Sequence, residues 1–170
     1  PVALAVVLGY SYSKRFTPLA HIILGIGLSL APIGAYLAVT GAFSLLPVLF
    51  SFAVLCWVSG FDIIYALQDE EFDKAEKLFS IPSSVGKKKA LFISRLLHMT
   101  SALLLITAGV IGNFNFEYAL GAIIFISLLL YQQQLVKPDD LSRVNLAFAT
   151  TNGIASIVFS VFVLTDLLLN

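Results

Sequence analysis

Between Arg15 and Asp62 the chain carries no Asp, Glu, Lys or Arg. A bilayer core of ~30 Å is crossed by about 20 helical residues, so this interval holds one complete crossing, read at residues 21–40, and most of a second, read at 44–67. Three more apolar runs follow at 91–112, 117–136 and 145–168, whereas residues 2–12 are too short to cross alone and read as the tail of a truncated span. The expected fold is all-α, a polytopic transmembrane helix bundle with five full spans and one partial. A chain that is 59% hydrophobic and only 12% charged excludes an ordinary soluble domain. Pro32, among Gly25, Gly27, Ser29 and Gly34, predicts a break within the first full span that lets helices pack closely. Cys56 is the single cysteine, which excludes an internal disulfide and a cysteine-rich metal site. The chain opens on Pro1 and is apolar from its first residues, so it reads as a piece of a longer protein.

All ten basic residues fall at or near the same ends of these spans: Lys14, Arg15, Lys74, Lys77, Lys87, Lys88, Lys89, Arg95, Lys137 and Arg143. The positive-inside rule places that end in the cytoplasm. Most of these charges, including the run at 87 to 89, need no role beyond topology. Asp139 and Asp140, flanked by Lys137, Pro138 and Arg143, read as a turn with local pairing.

One span ends in a burst of carboxylates, WVSGFDIIYALQDEEFDKAEKLFSIP, residues 57–82. Asp62, Asp69 and Asp73 are spaced by seven and four, which at helical periodicity keeps them within roughly 40° of one another. Asp62 lies about 10 Å further back along the helix, inside the hydrocarbon region. A carboxylate there requires a metal ion, a basic partner or protonation; with no Lys or Arg between Asp62 and Asp73, the metal is favoured, and the donors are oxygens. Tyr10 and Lys14 stand one helical turn apart; the pair suits either an anion grip or a simple helix anchor, with Arg15 beside it. Arg95 either reaches the carboxylate row or snorkels to head groups. His21 and His98 read as hydrogen-bonded interior histidines rather than ligands.

The segment GFDIIYALQDEEFD, followed by Ser80, Ile81 and Pro82, resembles the second aspartate-rich motif of the UbiA superfamily of membrane prenyltransferases, in particular its 4-hydroxybenzoate polyprenyltransferase branch. The D-x-x-x-D of that motif falls on Asp69 and Asp73, and the family's Y-x-x-x-K falls on Tyr10 and Lys14. SKRFTPLAHIILG and QLVKPDDLSRVNLAFATTNGI extend the resemblance over essentially the whole chain. Phe72 departs from the pattern, standing where many members of the branch carry another acid, while Glu70 and Glu71 fill variable positions.

The resemblance implies a nine-helix bundle of which residues 1–170 form the C-terminal part, holding the fourth helix partly and the fifth to ninth fully; the family's first aspartate-rich motif has no counterpart here. It implies Mg²⁺ held by Asp69 and Asp73, diphosphate binding by Lys14, Tyr10 and Arg15, Tyr65 along the cavity, and Asp62 orienting the acceptor or a metal-bound group. The activity implied is transfer of a polyprenyl group from its diphosphate to an aromatic acid in quinone (ubiquinone or menaquinone) biosynthesis, on a 4-hydroxybenzoate-type ring or, alternatively, a naphthoquinone precursor. The implied setting is the bacterial inner (plasma) membrane, with the site facing the cytoplasm, lipid around it and no nucleic-acid partner. An acidic row within a membrane also suits a cation transporter or channel, although such a fold should repeat the acids in a second half.

Overall fold

The computed structural model describes residues 2–169. Its helices are α1 (Val2–Ser13), α2 (Ala20–Thr40), α3 (Leu45–Ala66), α4 (Glu70–Ala75), α5 (Ile81–Val85), α6 (Lys87–Ile111), α7 (Phe116–Leu135) and α8 (Asn152–Leu169), with a tight turn at Leu67–Asp69 and a wide π-type turn at Leu146–Thr151. Among the described residues five helices are long and apolar enough to cross a membrane, and the fold is an all-α membrane bundle. Alternating helix direction collects residues 13–20, 67–87 and 136–145 at one end, where the basic residues cluster; the turns at 41–44 and 112–115 form the other.

Two helices differ from what the sequence predicts. Pro32 does not break its span: α2 runs unbroken through it, since one missing N–H costs a single ladder bond that a long helix absorbs. The span expected at 91–112 begins at Lys87 instead, because Gly86, at φ 80°, starts the helix and lysines are good helix formers. The expected turn at residues 137–143 is present, closed by reciprocal backbone bonds between Lys137 and Asp140 at 3.1 Å each. Asp140 pairs there with the hydroxyl of Ser142 at 2.6 Å, and that bond, with one from the Ser142 N–H, holds its carboxyl below the usual range.

In lipid, burying apolar area gives no preference for helix over hydrocarbon, so helices associate through close packing and interhelical hydrogen bonds. The joint between α3 and α6 shows both. Ser94 and Ser101, seven apart on α6, donate to the carbonyls of Gly60 at 2.8 Å and Ala53 at 2.9 Å, seven apart on the antiparallel α3. His98 lies between the two serines, its ring occupying the space that a Cβ at Gly60 would need. Gln133 ties α7 to this joint, donating to Ser94 Oγ at 2.8 Å and to His98 Nδ1 at 3.0 Å. The histidine is therefore the hydrogen-bonded interior residue expected.

The π-type turn frees backbone acceptors, and Gln132 uses one, donating to Ala147 O at 2.6 Å. Asn152, just beyond, accepts from Trp57 Nε1 at 3.1 Å and from Gln132 at 3.2 Å, linking α3, α7 and α8. At the far end Asp166 of α8 accepts the backbone N–H groups of Asn115 and Tyr118 at 2.9 and 3.2 Å, satisfying donors at the start of α7 and matching its dipole. Ile63, Ile64 and Leu67 pack against Leu91, Val136 and Val144, which fixes the end of α3, and hence the carboxylates beyond it, against three other segments.

Candidate active site

The site is built where α3 stops. The chain tightens at Leu67–Asp69, with Asp69 at φ −90°, ψ −1°, a sparsely populated region that often holds active-site residues, and then continues as α4. That helix ends on Lys77 at φ 54°, with Leu78 N–H bonded to Asp73 O at 2.7 Å and Lys77 N–H to Lys74 O at 3.3 Å. These two bonds form a Schellman motif, with a lysine in the left-handed position that usually takes glycine. The chain then turns back, and Phe79 N–H donates to Lys14 O at 2.6 Å, pinning the linker between α1 and α2 beside α4.

This crossing brings together three of the residues expected from sequence. Lys14 Nζ lies 3.5 Å from Asp73 Oδ2 and 3.9 Å from Asp69 Oδ2. Their environments differ: the Asp73 side chain is 2% exposed and that of Asp69 47%. Asp73 Oδ2 is buried and accepts no hydrogen bond, so its charge is balanced by Lys14 at a distance longer than a good charge-assisted bond. A buried carboxylate oxygen short of donors, next to a second carboxylate, is the donor set a hard divalent cation takes. Among the described residues no group of three or more acidic, His or Cys side chains surrounds one point, so these two would be part of a coordination shell.

Asp62 does not join them. Its Oδ2 lies 2.7 Å from Nδ1 of His21, which is 1% exposed, so among the compensations open to it α2 supplies a partner side chain, where the spacing of the acids favoured a metal. The partner is 41 residues away in sequence and one helix away in space, and nothing in the spacing of the acids could reveal it. Arg15 is also placed elsewhere: it is exposed, and its guanidinium sits 5.4 Å above the Tyr12 ring. Tyr65 stacks on Phe148 with ring centroids 4.2 Å apart, a packing contact with the π-type turn. Tyr10 lies on α1 one turn before Lys14, and its carbonyl accepts from the Ser13 hydroxyl. Arg95 makes no ion pair with the acids among the described residues, so it does not reach the row.

Two residues read as background have specific contacts. Glu70 is buried and meets Lys74 at 2.6 Å and Lys87 at 3.8 Å, so Lys87 is more than a topology signal. An i, i+4 Glu to Lys spacing from 70 to 74 was legible in the sequence; the Lys87 contact was not. Deeper in the bundle, an apolar cavity of about 480 Å³ is lined by Pro32, Phe50, Trp57, Leu105, Phe125 and Phe159, among others.

A model of the UbiA prenyltransferase family matches residues 1–162. The chain belongs to the UbiA prenyltransferase family. Among solved structures it is similar to a UbiA homolog from Aeropyrum pernix in its apo form, with a TM-score of 0.87, 31% identity, and coverage of 98% of this chain and 62% of the other. Among curated relatives, it is 30% identical over 163 residues to a 4-hydroxybenzoate octaprenyltransferase from Francisella tularensis subsp. mediasiatica, covering 96% of this chain and 57% of that protein. A protein of the same name from Pseudoalteromonas translucida is 31% identical over 135 residues, 79% of this chain and 46% of that protein. The chain thus spans about half the length of the curated UbiA relatives it matches.

Proposed function

We propose that this chain is the C-terminal part of a single transmembrane domain that transfers a polyprenyl group from its diphosphate to an aromatic acid of the 4-hydroxybenzoate type, a step of quinone biosynthesis. The observation that carries the reading is the convergence of Lys14 with Asp69 and Asp73 at one end of an apolar bundle. The names of the Francisella and Pseudoalteromonas relatives support the acceptor class.

In this reading the bond from the allylic carbon to the diphosphate oxygen breaks, with its electron pair leaving on the diphosphate. A ring carbon of the acceptor then bonds to the allylic carbon and loses its proton. Departure of a polyanion is slow unless preorganised positive charge meets it. Lys14 supplies one such charge, and the Tyr10 hydroxyl, one turn away, adds a donor. Asp69 and Asp73 would hold Mg²⁺, which when bound neutralises the departing diphosphate. Lys14, 3.5 Å from Asp73 Oδ2, stands where its ammonium would also face the diphosphate. The apolar cavity beneath holds isoprenoid and excludes water that would otherwise capture the cation. Asp62, paired with His21, would orient the acceptor. The clustering of Lys and Arg at this end supports a site that faces the cytoplasm, and the bacterial relatives support the inner membrane. A first aspartate-rich motif, borne by the N-terminal part of the protein, would complete the cation site.

The test is mass spectrometry of products from membranes containing the full-length protein, given Mg²⁺, polyprenyl diphosphates of several lengths and competing aromatic acids. Prenylated 4-hydroxybenzoate with stoichiometric diphosphate release is expected. Preference for a naphthoquinone precursor would move the acceptor while keeping the chemistry; no diphosphate release with any acceptor would overturn the reading.

A further inference from the structure

The outer seam between α6 and α7 holds a second cavity of about 470 Å³. Only these two helices line it, and it backs onto the joint to α3 through the buried His98 and Gln133. Its lining is graded along its length. Arg95 and Gln134 stand nearest the basic end of the bundle, while Met99, Leu103, Ile126 and Leu130 line it toward the middle. At ~1.5 Å per residue the eight positions from Arg95 to Leu103 run about 12 Å down the bundle. Met99 and Leu103 are 60% and 64% exposed, so the groove opens sideways rather than inward.

Arg95 itself is exposed and has no ion pair among the described residues. It starts two turns inside a membrane-crossing helix, where an uncompensated guanidinium is costly. Lys88, seven residues earlier, shares its face of α6 and is also exposed. One end of the groove therefore offers Arg95 and the Gln134 amide, with Lys88 on the same face above them, and apart from the buried His98 and Gln133 the rest of its lining is hydrocarbon. We propose that this seam is a binding site for one anionic glycerophospholipid, its phosphate on Arg95 with Lys88 above, and an acyl chain laid between α6 and α7. A zwitterionic lipid fits the apolar part equally well but brings its own cation to a basic site. This site is separate from the carboxylate cluster and does not depend on the prenyl-transfer reading.

The test is native mass spectrometry of the full-length protein released from nanodiscs of equimolar phosphatidylglycerol and phosphatidylcholine. Wild type should retain phosphatidylglycerol in preference. Arg95→Gln should weaken that preference about fivefold, the contribution of one basic residue near an anionic surface. Ala102→Phe, which fills the apolar part, should reduce retention of the lipid without changing any charge, and Lys89→Gln, off this face, should leave it unchanged. Equal retention of the two lipids by wild type, unchanged preference in Arg95→Gln, or full displacement by inorganic phosphate alone would each overturn the proposal.

Discussion

His21→Leu in the full-length protein isolates the one intramembrane carboxylate whose partner the sequence did not reveal. The bond it removes is 2.7 Å long, His21 is 1% exposed and the Asp62 side chain 16%. A hydrogen bond to a charged group contributes about 1.5–3 kcal/mol, and stranding one member of a buried pair costs roughly 3–5 kcal/mol. The residual access of Asp62 to its surroundings moves the expectation to the lower part of that range, about 2–4 kcal/mol. Removing both groups should be far milder, because an apolar pair leaves no charge to desolvate. Reversible unfolding in mixed micelles of wild type, His21→Leu, Asp62→Leu and the double variant gives the coupling energy directly, expected at about 2 kcal/mol. His21→Gln, which keeps an N–H donor, should recover part of the loss. Additivity of the two single losses within about 0.5 kcal/mol would refute the pairing and leave the Asp62 charge to be compensated by something other than His21.

Asp69→Ala and Asp73→Ala should each lower prenyl transfer on the order of 10²-fold or more with folding retained; near-normal turnover in either would remove it from the cation site. Lys14→Ala should lower turnover on a similar scale, whereas Lys88→Ala, at an exposed lysine with no ion pair to the acids among the described residues, should leave it close to wild type. Lys88 is the proper comparison because Lys87 contacts Glu70 at 3.8 Å, and equal losses would make Lys14 a helix anchor. Gly60→Ala drives a methyl into the His98 ring and should cost about 1–3 kcal/mol of unfolding free energy; the cost should largely disappear in a His98→Ala background. Lys77→Gly relieves a left-handed lysine at φ 54° and should stabilise the protein by about 1 kcal/mol, read by the same unfolding assay; a loss of stability would show that the lysine side chain makes a contact worth more than the strain.

The sequence by itself determined the class, the number of crossings and which end carries the charge. Those properties follow from single-chain quantities: an apolar run is long enough to cross or it is not, and a Lys or Arg stands at one end or the other. It also marked Asp69, Asp73 and Lys14, because residues four apart share a helix face and because the motif resemblance is local. What it left undecided was every pairing between helices. Asp62 looks like a member of one acidic row with Asp69 and Asp73, yet His21 on α2 claims it. Lys87 looks like one of three equivalent lysines until α6 sets it beside Glu70, and Arg15 looks equivalent to Lys14 until the end of α1 turns it over Tyr12. Only the packed bundle decides these, since a charge in low dielectric takes its state from whatever lies within a few ångströms, and those neighbours come from segments tens of residues away. The same holds for Lys14 itself: its place at the carboxylates rests on the backbone bond from Phe79, a contact that exists only after α3 and α4 have turned the chain back across the linker.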